Sequence, residues 1–265
     1  MSEPSISISS SPLRSRESKI ETTTRLPEHA LEEIRSARRD PRITQFDYLH
    51  LRHLRDDLAK ALRRVPPPVH DVLDVFCGTR PYEDLLPSGA RCTGLDIDER
   101  YGAADVVTNE FLPFDGESFD LVICISGFYY LEDPQRGASE MRRVLRPGGT
   151  ALISVPLVWE YDRTILERRF TGPELAWHFR GWEQIEVIEN GGRGVSWALL
   201  TGNLIYRREK CLPWRLRRVL APVFRGLYAL INGLGALIEL SERQRRGDGY
   251  TLPMNLLLTA RKPAR

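Results

Sequence analysis

An acidic residue inside an apolar run that breaks into small residues is the arrangement here best suited to handling a ligand. Residues 72–79 read Val-Leu-Asp-Val-Phe-Cys-Gly-Thr. Asp74 is placed to orient the turn or to receive a cationic amino group, and Gly78 lets backbone approach a ligand closely. A second apolar run closes on Gly94-Leu95-Asp96-Ile97-Asp98. An acid about 20 positions after a glycine turn accepts hydrogen bonds from ribose hydroxyls in nucleotide-binding folds, and Asp96 fits that place. Two plainer readings stay open from the residues alone. The first turn could be an ordinary strand–helix turn, and Asp96 an ordinary helix cap.

These residues need a frame. Short apolar runs recur at 72–76, 91–96, 104–107, 119–125, 150–155, 182–188 and 254–260. The run FDLVICI at 119–125 is continuous, as a parallel strand buried on both faces requires. Between them, segment 82–86 reads as a helical or turn segment and segments 135–145 and 173–179 as helices, with Arg146-Pro147-Gly148-Gly149 closing the former. This alternation predicts an α/β fold: a doubly wound, Rossmann-like sheet, mostly parallel, with an antiparallel last strand. An amphipathic helix over 43–64 leads into it. Phe46, Leu49, Leu51, Leu54, Leu58 and Leu62 recur near helical spacing, and Val65-Pro66-Pro67-Pro68 stops the run.

The segment 194–250 interrupts the rhythm where a hairpin would suffice, and reads as a helical insertion between the last two strands, with helices over about 195–210 and 214–242. Residues 1–25 are rich in Ser, Thr and Arg and poor in large apolar residues, so they read as a disordered tail. The expected layout is therefore a tail at 1–25, a main domain at 26–193 and 251–265, and the insertion at 194–250.

Bulk composition narrows the function classes. The chain has 265 residues, 42% hydrophobic and 28% charged, enough to bury a sizeable core. Its 38 basic and 36 acidic residues nearly balance, which gives no reason to expect a nucleic-acid partner. Cys77, Cys92, Cys124 and Cys211 form no CxxC pair, so no metal site or disulfide framework is expected, and reduced thiols suit a cytoplasmic protein. The amino-terminal stretch lacks the apolar core of a secretory signal. The G-x-G-x-x-G fingerprint of nicotinamide-dependent oxidoreductases is absent.

Four stretches, VLDVFCGTRPYEDLL, CTGLDID, LPFDGESFDLVICISGFYYLEDP and MRRVLRPGGTALISVP, stand in an order and spacing that resemble class I S-adenosylmethionine-dependent methyltransferases. The Arg-Pro-Tyr after Cys-Gly-Thr resembles a subgroup associated with glycan or lipid-linked sugar assembly. The resemblance implies that S-adenosylmethionine is the cofactor. Asp74, Phe76, Cys77 and Gly78 would form the first turn, facing its methionine part. Asp96 would hold the ribose, Ile97 would pack on the adenine, and Thr108 and Asn109 would face the adenine edge. Ser126 would line the site near the methionine and the acceptor. The chain departs from the family at Phe76 and Arg80, where glycines are usual, and at Thr108, where an acid is usual. A bulky Phe76 is expected to fill space close to the ligand.

The acceptor implied by the resemblance is a small molecule or glycan, lipid-linked or free, methylated at oxygen. The alternative is a catalytically inactive binding module with the same fold. Direct methyl transfer requires no fixed catalytic triad; a general base helps when the acceptor is a hydroxyl. Tyr130, Tyr161 and Asp162 are the catalytic candidates, with Tyr129 and His178 behind them. In the insertion, Arg207, Arg208, Lys210, Arg215, Arg217 and Arg218 precede a long apolar run. Arg225 and Glu239 bracket only 13 uncharged residues, whereas a membrane span needs about 20. Residues 207–240 therefore either cap the domain or a homodimer interface, or lie peripherally on a membrane surface.

Overall fold

The computed structural model describes residues 25–108, 111–163, 165–243 and 251–264. Asn109 and the expected tail lie outside these residues, apart from Arg25, whose side chain donates to the Gly102 carbonyl at 3.0 Å. Seven strands among the described residues form one sheet. They are β1 (Asp71–Val75), β2 (Arg91–Asp96), β3 (Val106–Val107), β4 (Phe119–Ile125), β5 (Leu145–Pro156), β6 (Glu183–Asn190) and β7 (Asn255–Arg261). Their order is β3-β2-β1-β4-β5-β7-β6. β7 runs antiparallel to both neighbours, and the remaining pairs are parallel. The strand order reverses between β1 and β4, and a ligand crevice forms outside the carboxyl ends at such a point.

Six α-helices stand among the described residues: α1 (Glu28–Arg39), α2 (Tyr48–Arg63), α3 (Pro134–Val144), α4 (Gly172–His178), α5 (Arg193–Lys210) and α6 (Trp214–Arg243). Side chains of a strand alternate between faces, and β4 shows both faces buried. Val122 and Cys124 join a cluster with Met141, Phe170 and Phe179 under α3 and α4. Leu121 and Ile123 join Leu54, Leu58 and Leu62 under α2. A third cluster joins Leu49 of α2, Val195, Ala198 and Leu199 of α5, and Ile231 of α6.

Local chemistry sets the ends of these elements. Asp133 caps α3 by accepting the Arg136 N–H at 3.0 Å, with Pro134 in the first turn. Thr171 and Glu174 form a capping box at α4. The segment at 82–86, expected to be helical or a turn, is a single tight turn, Glu83–Leu85. β5 begins earlier than its apolar run suggests, pairing Leu145 with Phe119 before a register shift. There Arg146 bridges Asp71 at 2.9 Å and Asp120 at 2.8 Å, which ties together the amino ends of β1 and β4.

Candidate cofactor and acceptor site

The chain leaves β1 through a strained turn. Phe76 has φ of 57°, Gly78 of 53° and Arg80 of 51°, and left-handed backbone costs a residue with a side chain about 1–2 kcal/mol. Asp96, at the end of β2, holds this turn. Its Oδ2 accepts the Gly78 N–H at 2.8 Å, and its Oδ1 accepts the Ile97 N–H at 2.8 Å. Each carboxylate oxygen keeps a further lone pair for a ligand hydroxyl.

Two glycines make room for the bulky residues of the turn. A Cβ on Gly127 would lie 2.6 Å from Phe76 Cδ2 and 2.9 Å from Phe76 Cβ. A Cβ on Gly94 would lie 2.3 Å from Arg80 Nη2. Phe76 therefore lies over Gly127 and near Phe111, with ring centroids 6.4 Å apart. Arg80 lies over Gly94 and pairs with Asp105, which also accepts the Gly94 N–H at 2.8 Å. Phe76 stands on the wall of the crevice without closing it: a cavity of about 690 Å³ remains.

Asp74, Phe76, Cys77, Gly78, Asp96, Ile97 and Ser126 all line that cavity, joined by Tyr129 and Tyr130. Burial pushes the Asp74 carboxyl up to about 7; Arg80 opposes the rise and Asp96 adds to it. Burial and the neighbouring Asp74 push the Cys77 thiol up to about 12, so it is not a nucleophile at neutral pH. Ile97 is 59% exposed, an apolar surface presented to the cavity. Ser126 follows β4 with φ of 58°, and its N–H donates to the Ser154 carbonyl. The Tyr129 hydroxyl donates to the Tyr130 hydroxyl at 2.6 Å.

Thr108 is not among the lining residues; its N–H donates to the Asp96 carbonyl at 3.1 Å and so extends β3 against β2. Tyr161 and Asp162 line a second, more open groove of about 710 Å³ with Phe46, Trp159, Tyr206 and Arg207. The two spaces are neighbours across Arg169. Its guanidinium lies 5.5 Å from the Tyr129 ring centroid and donates to the Glu160 carbonyl at 3.0 Å and to Glu167 at 2.9 Å. His178 packs edge-on against Phe170 and Trp177, away from both.

Sequence reasoning missed α1, whose Ile34 and Arg38 form part of the cavity wall. Arg35 Nε donates to the Thr79 carbonyl at 2.9 Å and Arg39 Nε to the Pro81 carbonyl at 3.4 Å, which lays α1 against the first turn. The one available signal was the spacing of Leu31 and Ile34 in a highly charged stretch.

The methyltransferase-domain family matches residues 73–153, from β1 into β5. A demethylmenaquinone methyltransferase from Corynebacterium urealyticum is 30% identical over 173 residues, which cover 52% of this chain and 74% of that protein. The chain belongs to the class I S-adenosylmethionine-dependent methyltransferase family.

A malonyl-acyl-carrier-protein O-methyltransferase from Methylococcus capsulatus is 34% identical over 39% of this chain and 43% of that protein. The chain thus spans about two fifths of the length of the first curated relatives it matches. Two solved structures share the fold. An S-adenosylmethionine-dependent methyltransferase from Thermotoga maritima has a TM-score of 0.50 and 15% identity, covering 89% of this chain and 97% of that one. The cyclase SpnF has a TM-score of 0.51 and 16% identity, covering 82% and 83%.

The residues present fit the cofactor of this methyltransferase family. The cavity lies in the size range of small-molecule sites, about 300–1,000 Å³. It offers acceptors at Asp96 for ribose hydroxyls, an apolar face at Ile97 for adenine, and a buried carboxyl at Asp74 for a cationic amino group.

Proposed function

We propose that this chain transfers the methyl group of S-adenosylmethionine to an oxygen of a small molecule or glycan, lipid-linked in its working form. The observation that carries the proposal is the meeting of Asp74, Asp96 and the Tyr129–Tyr130 hydroxyl pair around one cavity at the reversal of strand order. The cofactor supplies an electrophilic methyl group on a sulfonium, so the protein's task is alignment and exclusion of water. Asp96 and Ile97 fix one end of the cofactor, and Asp74 holds the other by its charge. Tyr130 presents its hydroxyl oxygen, already accepting one hydrogen bond from Tyr129, toward an incoming acceptor.

The acceptor occupies the groove lined by Trp159, Tyr161, Asp162 and Tyr206, with its reacting end passing Arg169 into the cofactor cavity. Aromatic walls and charged rim groups suit a sugar or other polyhydroxy compound. The described cysteines are unpaired, which supports a reducing compartment such as the cytoplasm.

Calorimetric titration with S-adenosylmethionine and S-adenosylhomocysteine tests the reading, beside the Asp96→Ala variant. Micromolar binding that the variant loses supports it, and a screen of lipid-linked and free glycans then follows. The competing reading is an inactive binding module, favoured by the side chain of Phe76 in a turn where the family usually carries glycine. Binding of both nucleosides with no methyl transfer to any acceptor in the screen would favour it.

A further inference from the structure

α6 carries two opposite faces. Tyr228, Ile231, Asn232, Gly235 and Glu239 are buried. Asn232 Nδ2 donates to the carbonyls of Ile43, Gln45 and Tyr228 at 2.8–2.9 Å, which fixes the helix to the segment before α2. A Cβ on Gly194 of α5 would lie 2.2 Å from the Gly235 carbonyl, so the two helices meet backbone to backbone.

On the other side Leu216, Val219, Val223, Leu230, Leu234 and Leu237 recur at helical spacing and are all exposed. Val219 is 73% and Leu237 63% exposed. A stripe of this kind, about six turns long, is more than scattered surface leucines. The helix is long and apolar enough to cross a membrane by length and composition. Its packed inner face, with buried Asn232 and Glu239, instead sets it along the surface of the domain.

The flanks identify what covers the stripe. Arg207, which pairs with Glu160, Arg208 and Lys210 at the end of α5, and Arg215 and Arg218 at the start of α6, are exposed. Glu209, the acid between them, is turned inward and accepts the Tyr228 hydroxyl at 2.6 Å. Trp214, 63% exposed with Arg215 over its ring, stands at the junction. Tryptophan and basic residues beside an apolar stripe match the layering of a lipid interface: apolar face in the acyl boundary, cations among anionic headgroups.

We propose that the outer face of α6, with the basic corner between α5 and α6, docks this protein onto an anionic lipid surface. The inference rests on the methyltransferase reading only for its purpose. Arg207, Lys210 and Cys211 also rim the acceptor groove, so docking places that groove's mouth at the headgroups, where a lipid-linked acceptor presents its polar end.

The test is flotation of the full chain with phosphatidylcholine vesicles, with and without phosphatidylglycerol, alongside S-adenosylhomocysteine titration of the same samples. Binding is expected only with phosphatidylglycerol. Each basic residue at such a surface contributes about fivefold to partitioning, so Arg215→Glu/Arg218→Glu lowers it at least about 25-fold. The Leu230→Ser/Leu234→Ser/Leu237→Ser variant abolishes it while keeping nucleoside affinity and melting temperature. Equal binding to neutral vesicles, or none to either kind, overturns the proposal. So does a dimer in light scattering that the serine variant dissociates, which would make a second copy the occupant. Intact nucleoside binding in any of these outcomes leaves the cofactor assignment standing.

Discussion

Replacing Asp74 by asparagine removes a carboxyl that burial holds far from its ordinary range. The residue is 7% exposed, and its pKa rises from 3.8 to about 7. Below the ordinary aspartate value both folded and unfolded chains hold the proton, and the site costs nothing extra. Between that value and about 7 the unfolded chain releases its proton while the folded one keeps it, so stability falls as pH rises. Above about 7 the full cost is present: about 3 pH units at about 1.4 kcal/mol each, or about 4 kcal/mol. Asp74→Asn carries no such pH dependence. Relative to wild type, its stability in the cofactor-free state rises by about 2–3 kcal/mol between about pH 5 and pH 8. Urea unfolding of both proteins at several pH values measures this. The same carboxyl makes cofactor affinity rise with pH up to about 7, because a bound ammonium favours the ionised form, and the asparagine variant loses that slope in calorimetry. A stability difference that stays flat across this pH interval would refute the assignment of a buried, proton-holding Asp74.

Three further outcomes follow from the packing. Gly127→Ala forces Phe76 off its seat and lowers stability by about 1–3 kcal/mol in urea unfolding, and Phe76→Gly in the same chain restores most of the loss. Asn232→Ala leaves the carbonyls of Ile43, Gln45 and Tyr228 without their shared donor; it lowers the unfolding free energy by about 2–4 kcal/mol. Exposed Cys211 is alkylated first at mildly alkaline pH, whereas buried Cys77, with its thiol pushed up to about 12, reacts only after denaturation; peptide mass mapping over time distinguishes them.

The frame was legible because the apolar runs are short, regular and bounded. FDLVICI reads as a strand buried on both faces, and the carboxyl ends of β1 and β2 then carried Asp74 and Asp96 to one place. The insertion was legible from its length between two strands. Residues Tyr161 and Asp162 were grouped with Tyr130 as catalytic candidates because they follow a strand end; the structure sets them across Arg169 in the second groove. The start of β5 was hidden by Arg146-Pro147-Gly148-Gly149, which reads as a helix terminator although its first residue pairs with Asp71 and Asp120 across the strand ends. α1 was hidden by its charge: its apolar residues Ala30, Leu31, Ile34 and Ala37 do follow helical spacing, but only two of them are large. The accommodation of Phe76 by Gly127 could not be read at all. Positive φ carries no compositional mark, and the two residues meet only when β1 and β4 lie side by side.

The attachment of α1 has a consequence for timing. Ile34 and Arg38 belong to the cavity wall, and the helix is held beside the first turn by two arginine–carbonyl contacts at Thr79 and Pro81, by the Arg39–Asp84 ion pair and by buried Leu31. A ligand and its spent product share that wall. Strengthening the two contacts lengthens the stay of both, and weakening them shortens both. Arg35 and Arg39 would then set how long a ligand stays, although neither side chain lines the cavity itself.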